Sequence, residues 1–188
     1  YAQDFAAFID EILPDNNKNL YKNDERIVIP FYDEKNILQG VQGRTISNSQ
    51  IRYITIIINE EVKKVYGLNT IDFTKKIYVV EGPIDSFFLQ NSIAMMDASL
   101  YRATALVGQY DYVFVYDNEP RNKDIVKHMK KTIDLGHNIC IWPKDLKEKD
   151  INDMILSNHS PSEIQNIIDK NIYSDLRAKL EFENWKKV

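Results

Sequence analysis

The stretch from Lys76 to Asp85, KIYVVEGPID, does most to limit what this chain can fold into. Ile77 to Val80 is a short, wholly apolar run rich in β-branched side chains, which suits a strand covered on both faces, as in a parallel sheet. The run stops at Glu81, turns on Gly82 and Pro83, and enters a helix, where the missing N–H of Pro83 costs nothing in the first turn. Glu81 therefore belongs at the carboxyl end of a strand, the place where open α/β sheets form their ligand crevice. Further along, YDYVFVYDNEP repeats the pattern: Tyr112 to Tyr116 is a second apolar run, and it ends in Asp117, Asn118 and Glu119. Two buried strands that end in acids put at least three carboxylates in one crevice, which is the composition of a metal site.

The rest of the chain fits around that pair. From Phe73 onward strand and helix alternate. A helix is expected at Ile84 to Gln90, a strand at Ser92 to Met96, helix over 98–109, an amphipathic helix from Asn122 to Leu135 stopped by Gly136, and a last strand at Asn138 to Trp142. This is βαβ logic, with a parallel sheet and helices on both faces. Upstream the texture is antiparallel. A leading helix at 2–13 ends at Pro14, a hairpin pairs Arg26–Tyr32 with Ile37–Thr45, Ile51 to Ile58 forms a third strand, and Lys63 to Leu68 reads as a short helical turn capped near Gly67. Downstream, residues 161–188 read as helix with a break near Tyr173. Ile164, Ile167 and Ile168, then Leu176, Leu180 and Trp185, provide apolar stripes for packing on the sheet. Docking on a partner would instead require the stripe with Phe182 and Trp185 to be exposed. The division expected is a strand-rich basic part at 1–72, an α/β part at 73–158 and a helical tail at 159–188, in a fold that is α/β locally and α+β overall.

Composition excludes some classes. Of 188 residues 44% are hydrophobic and 28% charged, as in a globular protein, and no apolar run has the length of a membrane span. The single Cys140 rules out an internal disulfide and fits a reducing, cytoplasmic compartment. His128, His137 and His159 lack the spacing of zinc ligands. A net charge of −4 weighs slightly against nucleic acid but says little about a local patch. The first residue is Tyr1, so a piece of something longer is expected.

The acids suggest the chemistry. Hard cations such as Mg²⁺ or Mn²⁺ take oxygen ligands, often one or two carboxylates plus substrate phosphates. Glu81, Asp117 and Glu119 suit this, with Asp85 one helical turn past Glu81 and Asp150 reaching in from the loop after the last strand. In an extended chain Asp117 and Glu119 point to the same side. Any one of these acids alone reads more simply as a cap or turn residue. Three acid clusters on one side of one sheet favour the cation.

EGPID followed by YDNEP resembles the acidic motifs of TOPRIM domains, the metal-binding module of bacterial-type primases, type IA and II topoisomerases and some nucleases. Upstream, RIVIPFYDEKNILQGVQGR, then RYI and KKVYGL, are similar in order and spacing to the basic half of the catalytic core in bacterial and phage primases. Downstream, KDINDMI resembles the last acidic motif of phage primases. The likeness covers residues 25–157, and YVVEGPID and VFVYDNEPRNK read most like the primases of T4-like phages. The resemblance implies metal-dependent synthesis of RNA primers from NTPs on a single-stranded DNA template, beside a hexameric replicative helicase and away from membranes. It assigns catalysis to Glu81, Asp117 and Glu119, and metal binding to those three with Asp85 and Asp150. Arg44, Arg52, Tyr53, Lys63, Lys64, Arg121 and Asn152 are the candidates for contacts with nucleic acid or NTP. Glu119 departs from the family, which has Asp there, and the family's zinc module has no counterpart in these residues. Other readings remain: a TOPRIM nuclease or topoisomerase fragment, a non-catalytic nucleic-acid-binding scaffold, and a plain nucleotide-binding α/β protein, the last lacking a Gly-rich phosphate loop.

Overall fold

The computed structural model describes residues 1–14, 20–47, 51–58, 63–96 and 99–188. It divides into two compact units, Tyr1–Lys63 and Lys64–Val188. The first begins with helix α1 (Phe5–Ile12), capped by Asp4, whose carboxylate accepts from the Ala7 N–H at 3.1 Å. Strands β1 (Arg26–Tyr32), β2 (Leu38–Thr45) and β3 (Tyr53–Ile57) follow as an antiparallel sheet in that order. Pro30 is tolerated inside β1 because β1 is an edge strand.

One face of this sheet is organised around a buried cation. Arg26 is 0% exposed, pairs with Asp24 at 2.7 Å, and donates to the carbonyls of Gly43 and Ile51 at 3.0 Å each. Gly43 makes room for it: a Cβ there would lie 2.6 Å from the Phe5 ring and 2.9 Å from Arg26 Cδ. Phe5, Ile9, Val41 and Ala2 form the small apolar core beside it.

The second unit opens with β4 (Val65–Tyr66), β5 (Ile77–Val80), the short helix α2 (Pro83–Ser86) and β6 (Ser92–Met95). A 3₁₀ turn (Leu100–Arg102), α3 (Ala103–Leu106), β7 (Tyr112–Phe114), α4 (Lys123–Asp134) and β8 (Asn138–Cys140) come next. The chain ends with α5 (Ile151–Leu156), α6 (Pro161–Lys170), β9 (Ile172–Tyr173) and α7 (Asp175–Trp185). Among the described residues these strands form one six-stranded sheet ordered β4-β6-β5-β7-β8-β9, parallel at its centre and antiparallel at both edges. Every residue of β5, β6 and β7 is buried, as expected of strands covered on both faces. No helix among the described residues is long and apolar enough to cross a membrane.

Two local expectations change, and the expected break in the tail is found as a strand. The helical turn expected at Lys63 to Leu68 is instead strand β4, which pairs Val65 with Met95 and so joins the α/β unit. The break near Tyr173 is strand β9, closing the other edge against β8. The helix expected from Ile84 to Gln90 ends as an α-helix at Ser86 and continues as turns. Residue 98, where the next helix was expected to begin, lies outside the described residues; from Leu100 to Leu106 the chain is 3₁₀ turn and then α3. The tail packs on its own unit through Ile164, Ile168, Ala178, Phe182 and Trp185. In α7 the packed stripe is thus Ala178-Phe182-Trp185, while Leu176 and Leu180 are 81% and 61% exposed.

Candidate metal and nucleotide site

The chain runs from β5 to β6 on one side of β5, then returns to place β7 on the other. The carboxyl ends of β5 and β7 therefore flank a topological switch point, where open sheets leave a crevice. Val79 is level with Phe114, so both strands deliver their next residues to the same end. Glu81 follows β5 directly and Asp117 lies just past β7. The Asp117 N–H donates to Glu81 Oε1 at 3.0 Å, tying the two strand ends together. Gly82 gives Asp85 room to approach; a Cβ on Gly82 would sit 3.0 Å from Asp85 Oδ2. Asp85 in turn accepts from the Asn152 N–H at 3.0 Å, which anchors the start of α5. Asp150 is the N-cap of α5 and accepts from the Asp153 N–H at 2.7 Å. Glu81, Asp85, Asp117 and Asp150 all line one recess of about 10 Å³, closed by Val80, Tyr116 and Trp142 among others. That is room on the order of one water molecule.

Glu119 stands beside this recess and is linked to it by a residue that the sequence reading missed. Lys149 Nζ lies 3.7 Å from Asp117 Oδ2 and 3.7 Å from Glu119 Oε1. One signal could have found it: a lysine directly before Asp150 travels with the acidic loop. The acids repel one another all the same. Burial, then the charges of Asp117, Asp85 and Glu119, push the Glu81 carboxyl up to about 7, against the lowering effect of the Asp117 N–H. Burial and the Asp150 charge push Asp117 up to about 6, with Lys149 opposing and Glu119 adding to the rise.

Among the described residues no three His, Cys, Asp or Glu side chains converge as a formed metal cage. The donor set still fits a hard divalent cation: it is all carboxylate, it is partly buried, and its mutual repulsion is what a cation relieves. One oxygen on each of Glu81, Asp85 and Asp150 accepts from a backbone N–H, a bond that suits a cap or turn residue and is compatible with a carboxylate ligand as well. Asn118, between the two acids of its loop, is fixed from three sides. Its N–H donates to Lys149 O at 2.6 Å, its side-chain amide donates to the Leu146 and Glu148 carbonyls, and its Oδ1 accepts from Trp185 Nε1 at 3.0 Å.

The basic candidates are divided between the units. In the first, Arg44 faces Tyr53 across β2 and β3, its guanidinium 5.3 Å from the ring centroid and donating to the phenol oxygen. Arg52 is exposed, and its carbonyl accepts from buried Arg26. Lys63 is engaged with Glu34 at 2.7 Å. In the second, Lys64 lies at the start of β4, its carbonyl accepting from Met96 N–H, and Arg121 is exposed just beyond Glu119.

Over its whole length the chain is 32% identical, across 191 aligned residues, to the DNA primase of Enterobacteria phage T4. The chain spans about half of that primase, 55% of its length. The fold is similar to the E. coli primase catalytic core, with a TM-score of 0.62 at 14% identity over 96% of this chain and 62% of that one. A primase domain from Pseudomonas aeruginosa gives 0.63 at 17% identity, covering 85% of this chain and 55% of that one. A DnaG primase catalytic domain bound to ssDNA gives 0.62 at 14% identity over 83% and 54%. No family model matches the chain. The primase-core fold expected from EGPID and YDNEP is therefore the fold found, a mixed α/β architecture with a parallel central sheet.

Proposed function

We propose that this chain is the catalytic core of a phage-type DNA primase, synthesising short RNA primers from NTPs on a single-stranded DNA template by nucleotidyl transfer that depends on Mg²⁺ or Mn²⁺. The observation that carries the reading is the pairing of Glu81 with Asp117 across the β5/β7 switch point, in a chain similar to a primase from end to end. One relative in fold was solved with ssDNA, which supports a template strand as partner. The nuclease, topoisomerase and scaffold readings have no such support.

In primer synthesis a 3′-hydroxyl attacks an α-phosphate and pyrophosphate leaves, so the protein contributes positioning and charge stabilisation. Glu81, Asp117, Glu119 and Asp150 would hold the divalent ions, with Asp85 as a further ligand. Bound there, the ions would stabilise charge on the attacking and leaving oxygens. The chain's own part is to keep these carboxylates crowded and partly buried, which holds Glu81 and Asp117 above the usual carboxylate range until a cation relieves the repulsion. Arg44, stacked on Tyr53, offers a combined cationic and aromatic face to a template nucleotide. Arg52, Lys64 and Arg121 would contact phosphates, while Asn152 holds Asp85 through its N–H. Lys63 would have to leave Glu34 to do the same. A replicative helicase as partner, and the host cytoplasm as the place of action, belong to the same proposal.

The test is incubation with single-stranded templates, four NTPs and Mg²⁺ or Mn²⁺. Short oligoribonucleotides are expected, and their absence with both metals on templates of varied sequence would overturn the reading.

A further inference from the structure

A second cleft, of about 470 Å³, shares Asn118 with the acidic loop. Buried Trp185 forms part of its floor, with Pro120, Pro143 and Leu146 as the other apolar walls. Its charged lining is cationic: Lys144, Lys147 and Lys187, all exposed. Among the described residues none of these three ammonium groups makes an ion pair, whereas Lys130, Lys149 and Lys186 each do. In a chain of net charge −4 this gathers three lysines without an ion pair around one concavity.

We propose that this cleft binds a phosphate-bearing chain, either the triphosphate of a nucleotide or the backbone of a nucleic-acid strand. Three separate lysines suit several phosphates in succession better than a single carboxylate, because each ammonium acts as a point charge. The volume is within the range of small-molecule sites, which runs from about 300 to about 1,000 Å³. The cleft also adjoins the chemistry. Asn118, which lines it, lies between Asp117 and Glu119 and is held by Trp185, and the Lys187 N–H closes on Pro120 O at 2.8 Å. A ligand seated there touches the segment that carries two of the acids. The phosphate chemistry rests on the cleft alone; the choice of nucleotide or strand as its source rests on the primase reading.

The test is metal-free binding, in EDTA, of inorganic tripolyphosphate, ATP and a single-stranded oligodeoxynucleotide. The native chain is compared with the triple variant Lys144→Gln, Lys147→Gln, Lys187→Gln. Without metal no synthesis is measured, so failure of the primase reading and failure of this site are separate results. For at least one probe the variant should bind about ten-fold more weakly at 0.1 M salt. If the probe is the strand, the salt slope should also fall by about 2, from three lost phosphate contacts. Loss confined to tripolyphosphate and ATP assigns the cleft to the nucleotide, and loss confined to the oligonucleotide assigns it to a strand. The triple Lys→Arg variant keeps the charge and should retain binding. Unchanged affinity of the Gln variant for all three probes would overturn the proposal, as would equal loss in the Arg variant.

Discussion

Glu81 was legible because its position follows from local pattern: four apolar residues, an acid, then Gly-Pro. Its electrostatic state was not, since that depends first on burial and then on the charges of Asp117, Asp85 and Glu119 that folding gathers around it. A carboxyl with a raised pKa in the folded chain binds its proton more tightly there than when unfolded. Its contribution to stability is present below the unfolded value of about 4.5 and is lost as pH rises through about 7. In EDTA, Glu81→Gln should therefore flatten the pH dependence of melting between those limits and melt no lower than the native chain at pH 8, since the amide oxygen still accepts from Asp117 N–H. A pH profile identical to the native one would count against the crowded-acid description. The same variant should make no primers. Arg26 was read only as the first residue of a strand; its burial could not be seen because its partners Gly43 and Ile51 lie on other segments. Arg26→Met leaves Asp24 unpaired and should cost the first unit about 3–5 kcal/mol in a denaturant melt. Arg44→Ala should instead leave melting unchanged and make template binding less salt-sensitive, by about 0.7 in slope. An unaltered salt slope would make Arg44 structural.

At the scale of elements, the buried strands β5 and β7 and the amphipathic helix α4 were legible because each carries its own periodicity. The two edge strands β4 and β9 were not. Each is two residues long, and only pairing with a distant partner makes it a strand. The packing face of α7 was misread for a related reason: Leu176 and Leu180 have the right spacing, but the sheet selects Ala178, Phe182 and Trp185. Because that face is part of the core, deleting residues 174–188 should unfold the second unit, seen as loss of its cooperative melt. A stable, folded truncation would return the tail to a docking role. Trp185→Phe is the finer probe. It keeps a six-membered aromatic ring and removes the pyrrole ring whose N–H Asn118 Oδ1 accepts from, at a cost of about 1–3 kcal/mol for that oxygen left unsatisfied, in addition to the lost packing. Primer synthesis should fall further than stability accounts for, read as a lower kcat, because Asn118 sets the loop of Asp117 and Glu119.

For the whole molecule, the order β6-β5-β7 matters more than any single residue. It turns two similar strand-acid motifs, far apart in sequence, into one crevice, and the loop after β8 adds Lys149 and Asp150 to it. Lys149 spans Asp117 and Glu119 where a cation would be most useful, so metal entry should displace it. The most direct measurement is Mn²⁺ affinity, read by electron paramagnetic resonance, for the native chain and for Asp117→Asn. Saturable binding by the native chain, weakened about ten-fold or more in the variant while its melting temperature holds, is the expected result. Equal Mn²⁺ affinity in the two, or no saturable binding in either, would contradict the claim that these acids form a metal site.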